Sequence, residues 1–491
     1  MWQFYYAKAE IMARIIGREE QIRELKERYE SDHAELIVVY GRRRVGKTFM
    51  IRETFRGKMT FYHTGLSPYD EKRKIGKKEQ LEHFYHSLLG HGMAESTCPK
   101  TWIQAFYMLE DLLEEMDNGE QQLVFIDELP WMDTPGSGFV TAFEAFWNGW
   151  ASARDNMKCV VCGSATSWIM DNMIDQKGGL YDRQTAEVKL DPFTLSECER
   201  FFESRGIDLS RFDIVEAYMA VGGIPYYLDK FSRGMSVAQN IDRLMFNRNA
   251  RLRNEFERLF GSLFVNPDLY MKTVRLLATK HCGFTRVDIS QGIDMKGGEG
   301  LTKMLKSLEE SDFIQKYRPF DAGQRETLYR LTDPFCRFWL RFVEGQEKKD
   351  EHFWQHNQNL PALKAWRGIA FEELCLMHVE QVKQALGVAG IVSTQSEWTL
   401  RGDSNHDGAQ MDMIIERADR VVNLCEIKCC NDEFEIDKSY DLILRRRISM
   451  LQAELQKTQN VHMTFITTFG VKKNKYSGIV QKEVTLDDLF R

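Results

Sequence analysis

The sequence predicts an α/β protein built on parallel strands, and three observations carry that prediction. An apolar, β-branched run, Ile37-Val38-Val39-Tyr40, breaks into a glycine-bounded loop and resumes as a helical pattern from Lys47 to Phe55. A second apolar run, Leu123-Val124-Phe125-Ile126, ends in Asp127-Glu128. Far downstream, Gln410-Met411-Asp412-Met413-Ile414-Ile415 and Val421-Val422-Asn423-Leu424-Cys425-Glu426-Ile427-Lys428 are two more strand-like runs, joined by a short charged turn.

A chain of 491 residues has room for about three domains. Charged residues make up 28% and apolar ones 43%, the balance of a globular chain able to bury a core. The net charge of -7 means that any nucleic-acid contact must come from local basic patches. The ten cysteines are scattered. Cys159-x-x-Cys162 sits in an apolar run and Cys429-Cys430 are neighbours, so neither pair has the second pair or histidines that a zinc site requires. No stretch approaches the roughly 20 uninterrupted apolar residues of a membrane span. The N-terminus lacks the basic, apolar and small-residue regions of a signal peptide. A cytoplasmic protein without a membrane partner is therefore expected.

In chain order, residues 1 to 11 are aromatic without period, and a domain-like pattern begins at Met12. Ile22, Leu25 and Tyr29 fall on one face of a helix running from Arg18 to Tyr29. The loop Gly41-Arg42-Arg43-Arg44-Val45-Gly46-Lys47-Thr48 matches G-x-x-x-x-G-K-[ST]. Its glycines let backbone N–H groups curl inward, and the helix that follows adds its positive end, which together make a phosphate cradle. Lys47 is placed to reach the β- and γ-phosphates and Thr48 to ligate Mg²⁺. Met59 to His63 reads as a strand, and Trp102 to Met116 as an amphipathic helix. Asp127, at the carboxyl end of its strand, is expected in the Mg²⁺ shell, with Glu128 accepting a proton from the attacking water. A third strand, Cys159 to Ser164, ends in small polar residues, and Ser164 or Thr166 is either a γ-phosphate sensor or a helix cap.

These motifs resemble the prokaryotic archaeal-type ATPases of the AAA+ class, near its STAND-like branch. The residues that carry the likeness are Ile16-Gly17-Arg18-Glu19, the loop Gly41 to Thr48, Asp127-Glu128-Leu129-Pro130, Gly163-Ser164, Leu180-Tyr181-Asp182-Arg183 and Gly222-Gly223-Ile224-Pro225-Tyr226-Tyr227-Leu228. The resemblance spans residues 12 to 240. It implies an ASCE-type P-loop domain that takes ATP rather than GTP, with Ile16, Gly17 and Arg18 near the nucleotide. It also implies a helical lid, and it offers Arg183 as a phosphate-sensing arginine or an ion-pair partner. The expected division is a nucleotide core over 12–200 and a lid and linker over 201–260, the segment 240–265 being a solvated helix or linker.

Over 261–344, helices at 269–278, 285–293 and 301–308 precede a hairpin, 313–317 and 327–331, turned by Asp321-Ala322-Gly323-Gln324. That order is a winged helix-turn-helix. Lys303 and Lys306 on the third helix and Lys316, Arg318 and Arg325 on the wing supply modest basic density, for DNA contact or for a protein-interaction or spacer role.

From 345 to 491 a helix with Glu372 leads to the two downstream strands. Asp412 on one and Glu426 and Lys428 on one face of the other bring two carboxylates and an ammonium together. Asp412, Glu426 and Glu372 are suited to hold Mg²⁺ or Mn²⁺, and Lys428 to orient water for attack on a phosphodiester. The arrangement resembles the PD-(D/E)xK, restriction-endonuclease-like superfamily, with Met411 where the name places Pro. Arg445-Arg446-Arg447, with Leu442, Leu444 and Leu451, suggests a helix whose basic face follows a DNA backbone. The function expected is an ATP-binding and ATP-hydrolysing switch controlling a metal-dependent DNA nuclease domain. The alternatives are a nucleotide-gated binding regulator with an inactive nuclease fold, and a ring-forming motor. A protein partner and self-association remain open.

Overall fold

The strand preceding the glycine loop, β1 (Glu35–Tyr40), is flanked on both sides in a five-stranded sheet. Its partners are β2 (Met59–Thr64), β3 (Gln122–Asp127), β4 (Met157–Gly163) and β5 (Ala186–Lys189), in the order β2-β3-β4-β1-β5, every pairing parallel. The computed structural model describes residues 15–67, 75–174, 180, 182–320, 326–345, 350–400 and 409–491. The expected domain start at Met12, Tyr181, the turn Asp321 to Gln324 and the wing residue Arg325 lie outside the described residues.

Parallel strands must be covered on both faces, which is why these runs are continuously apolar. Leu36 and Val38 face a core with Phe61, Val124, Ile126 and Val161, closed by Trp102, Phe106, Phe139, Phe143 and Phe146. Phe106 stacks on Phe146 with centroids 5.2 Å apart. Each such side chain contributes about 1.5–3 kcal/mol of burial. The expected amphipathic helix is present as Trp102–Glu115, capped by Thr101 accepting from the Gln104 N–H. Register aligns Tyr40 with Gly163 and Thr64 with Asp127, so the carboxyl ends of the strands meet along one edge. The chain up to Pro192 forms this unit together with Glu257–Tyr270 and Thr302–Asp312.

A second unit comprises Phe193–Phe256, Met271–Leu301 and Phe313–Arg491. Its first helices are Leu195–Ser204, Arg211–Val221 and Pro225–Leu228. The segment expected as a solvated linker is instead packed: in this unit Leu244, Met245, Phe246 and Phe256 are buried. Buried Asp242 accepts the Trp354 N–H at 2.7 Å, and Arg253 donates to the Phe246 carbonyl at 2.6 Å. Its charged groups thus satisfy backbone rather than water, which leaves the interleaved apolar residues free to bury.

The three middle helices are Pro267–Ala278, Arg286–Gly292 and Glu299–Glu310. The antiparallel strands that accompany them, β6 (Phe284–Thr285), β7 (Ile314–Tyr317) and β8 (Leu328–Leu331), are ordered β6-β8-β7. Lys306 of the third helix lies 3.3 Å from Asp171 and 3.4 Å from Glu310.

The C-terminal sheet holds β9 (Ser393–Leu400), β10 (Ala409–Arg417), β11 (Val421–Lys428), β12 (Asn460–Thr467) and β13 (Lys482–Thr485), in the order β13-β12-β11-β10-β9. β10 and β11 are the expected antiparallel hairpin, and β12 and β13 continue in parallel. The helix Lys438–Glu454 buries Leu444 and Leu451 but exposes Leu442. Of the arginines read as its basic face, Arg445 and Arg446 are exposed and Arg447 is half-buried. Arg445 pairs with Asp441 at 2.9 Å, and Arg447 turns to Glu426 at 3.0 Å. Among the described residues, no helix is long and apolar enough to cross a membrane.

Candidate functional site

The glycine loop owes its path to two residues. Gly41 has φ +135°, and a Cβ there would lie 2.3 Å from the Leu190 carbonyl oxygen. Gly46, at φ +96°, turns the chain into the helix Lys47–Thr54. Lys47 follows at the helix start, only 5% exposed, and its ammonium donates to the Gly41 carbonyl (2.8 Å), the Arg42 carbonyl (3.0 Å) and the Ser164 hydroxyl (3.1 Å). Burial pulls its pKa down, against the attraction of Glu128 and Asp127.

Thr48 donates its hydroxyl to both Asp127 carboxylate oxygens, at 3.1 and 3.0 Å. Asp127 also accepts the Cys162 thiol at 2.6 Å and the Glu128 N–H at 3.0 Å. Burial drives the Asp127 pKa up, and pushes the Cys162 thiol well above its ordinary value. Glu128, in the left-handed region at φ 48°, accepts the Ser164 N–H at 3.0 Å and the Ser164 hydroxyl at 2.7 Å. Three strand ends thus bring Lys47, Thr48, Asp127, Glu128 and Ser164 together. The hard oxygens of Thr48 and Asp127 fit Mg²⁺, which when bound would neutralise phosphate charge, and the loop and Lys47 fit the phosphates of ATP.

Other expected residues are placed differently. The hydroxyl of buried Thr166 has no hydrogen-bond partner among the described residues, and of the two sensor candidates only Ser164 touches Lys47 and Glu128 there. Arg18 caps its helix in the left-handed region and donates to the Asp191 carbonyl at 2.6 Å, next to Gly17, also at positive φ, and Ile16. Within the loop, Arg43 lies over the Trp131 ring at 5.9 Å, Arg44 has φ 74°, and Arg42 and Val45 are buried. Arg183 is exposed in the turn before β5, and its side chain makes no hydrogen bond or ion pair with the described residues. Cys162, seen in the sequence only as half of a Cys-x-x-Cys spacing without zinc partners, owes its contact with Asp127 to its place one residue before the end of β4.

Comparison with known proteins adds to this geometry. Residues 15–231 match the family described as "ATPase domain predominantly from Archaea". This stretch is an ATPase domain of archaeal type. The ATPase domain's parallel sheet also places β4 between the loop strand β1 and the acidic strand β3. An uncharacterised protein of Methanocaldococcus jannaschii is 24% identical over 330 residues, 67% of this chain and 68% of that protein. Similar solved structures include a Walker-type ATPase of Pyrococcus abyssi, with 22% identity, coverage of 67% of this chain and 96% of that one, and TM-score 0.47. The ORC2 protein of Aeropyrum pernix, solved as ADPNP and ADP complexes, has 12% identity, coverage of 66% and 92%, and TM-score 0.41.

In the second unit, β10 and β11 bring Asp412, Glu426 and Lys428 together as their alternation predicts. Asp412 accepts the Ile427 N–H at 2.8 Å, and Lys428 Nζ lies 2.6 Å from Glu426 and 3.6 Å from Asp412. Glu426 also accepts from Arg447 at 3.0 Å and from the Tyr440 hydroxyl. Glu372, from the helix Pro361–Met377, lies 2.9 Å from His281 Nε2. Burial, with Asp412 nearby, raises the Glu372 pKa to about 8; burial, with Glu426 nearby, raises that of Asp412 to about 6. For Lys428 burial opposes the charge, yet Glu426 and Asp412 prevail and hold its pKa above the ordinary lysine value.

Crowded carboxylates are the donor chemistry of a divalent cation. The expected shell of Glu372, Asp412 and Glu426 is nevertheless not gathered: among the described residues no group of three such donors is placed to hold a metal ion. The reason is competition, since Glu426 is drawn to Lys428 and Arg447, and Glu372 to His281. Sequence reasoning missed Tyr440 and His281, and it read Arg447 as an outward-facing residue.

Proposed function

We propose that the chain is an ATP-binding, ATP-hydrolysing switch, its nucleotide state passed to a DNA-directed C-terminal domain of restriction-endonuclease-like build. The observation that carries the reading is the convergence of Lys47, Thr48, Asp127, Glu128 and Ser164 at one sheet edge. Those residues supply a phosphate contact, an Mg²⁺ hydroxyl and carboxylate, a base for water and a polar bridge between base and lysine. In this reading Glu128 rests on Ser164, and bound ATP competes for Lys47 and frees the carboxylate.

The division into a core (12–200), a lid and linker (201–260), a winged helix (261–344) and a nuclease-like domain (345–491) belongs to the same proposal. Support for the winged helix is the order of three helices and antiparallel strands. Support for the last domain is the hairpin that carries Asp412, Glu426 and Lys428.

The second reading, a nucleotide-gated regulator in which this cluster performs no chemistry, is favoured by one observation: Lys428, Arg447 and Tyr440 all engage Glu426. Purified protein incubated with linear, circular and branched DNA, Mg²⁺ or Mn²⁺, with and without ATP, separates the two. Cleavage abolished by Lys428→Ala supports the nuclease, and its loss in Lys47→Ala supports ATP control. ATP turnover without cleavage of any substrate supports the regulator.

A further inference from the structure

A cavity of about 450 Å³ opens in the second unit, walled by the helices Pro267–Ala278 and Pro361–Met377 and by the helical run from Pro334 to Val343. That volume is in the range of small-molecule sites. Arg275, Arg337 and Arg341 converge on it beside His281, and among the described residues Glu344 is its one lining carboxylate. Arg275 pairs with Glu344 at 2.6 Å and Arg337 with Glu373 at 2.9 Å, while Arg341 makes no hydrogen bond or ion pair with the described residues.

We propose that this cavity binds a small phosphate-bearing ligand of diphosphate to mononucleotide size, its oxygens held by the three guanidiniums. Guanidinium groups match phosphate with paired, charge-assisted hydrogen bonds, and three around one hollow suit a compact polyanion. A ligand here would bear on the acidic cluster, since His281 of the cavity wall lies 2.9 Å from Glu372. The inference does not require that cluster to cleave DNA.

The test is titration calorimetry on the full chain carrying Lys47→Ala, which disables the phosphate loop, with inorganic pyrophosphate and ADP as probes and a single-stranded oligonucleotide as a separate arm. Saturable binding of pyrophosphate or ADP is expected, weakened about tenfold by Arg341→Gln and similarly by Arg275→Gln. Arg341 is exposed, so its variant should stay folded, which circular dichroism checks. The proposal is overturned if neither small probe binds, or if Arg341→Gln binds them unchanged. It is also overturned if only oligonucleotide binding responds to the substitutions, which would make the phosphate that of a nucleic-acid backbone.

Discussion

Replacing Lys47 by Met separates what this side chain does for the fold from what it does for the nucleotide. Lys47 is 5% exposed, and its ammonium makes three hydrogen bonds, at 2.8, 3.0 and 3.1 Å. Each such charge-assisted bond contributes about 1.5–3 kcal/mol. Against them stands the cost of burying an ammonium, several kcal/mol, and the lowered pKa of Lys47 shows that this cost is felt. Methionine fills the same channel without charge and leaves two carbonyls and one hydroxyl short of a donor, at about 1 kcal/mol each. The opposing terms leave a net change within about 2 kcal/mol, hence a shift in Tm of less than about 8 °C. ATP loses a phosphate partner and gains no compensation, so affinity should fall by about 3 kcal/mol, or about 100-fold. Thermal unfolding without ligand, and titration with a fluorescent ATP analogue, measure the two quantities. The reasoning fails if Lys47→Met unfolds well below that range, or if it still binds the analogue with near wild-type affinity.

Three further outcomes follow from named contacts. Gly41→Ala should destabilise the ATPase domain by about 3 kcal/mol or more in denaturant unfolding, because its Cβ meets the Leu190 carbonyl at 2.3 Å and φ is +135°. Ser164→Ala should slow ATP turnover at least about tenfold with little change in nucleotide affinity, whereas Thr166→Ala should not; equal effects in steady-state assays would remove Ser164 from the mechanism. Glu372 carries a folded pKa of about 8 against an ordinary 4.5. A raised acid pKa contributes stability that is fully present below pH 4.5 and is lost as pH rises through about 8. Urea midpoints of wild type should therefore decline relative to Glu372→Gln across that window; parallel pH profiles would show that Glu372 is not held protonated.

The strands β1, β3, β4, β10 and β11 were legible because each is a short apolar or alternating run bounded by a turn, and the loop glycines were legible because their spacing has one backbone use. The segment from 240 to 265 misled because its arginines suggest solvent, whereas Arg253 spends its charge on a carbonyl and Phe256 and Phe260 pack inward. Edge strands β5, β9 and β13 left weaker traces, being short or only partly apolar.

The sequence by itself determined the phosphate loop, the acidic strand end and the hairpin that aligns Asp412, Glu426 and Lys428, since each depends on neighbours within a few residues or on period-two alternation. Only the tertiary structure decided that Ser164 rather than Thr166 meets Glu128 and Lys47, that the Cys162 thiol reaches Asp127, and that Arg447, Tyr440 and His281 claim the carboxylates. Those pairings join residues far apart in the chain, and which cation reaches which acid is set by how sheets and helices pack, which local sequence does not encode.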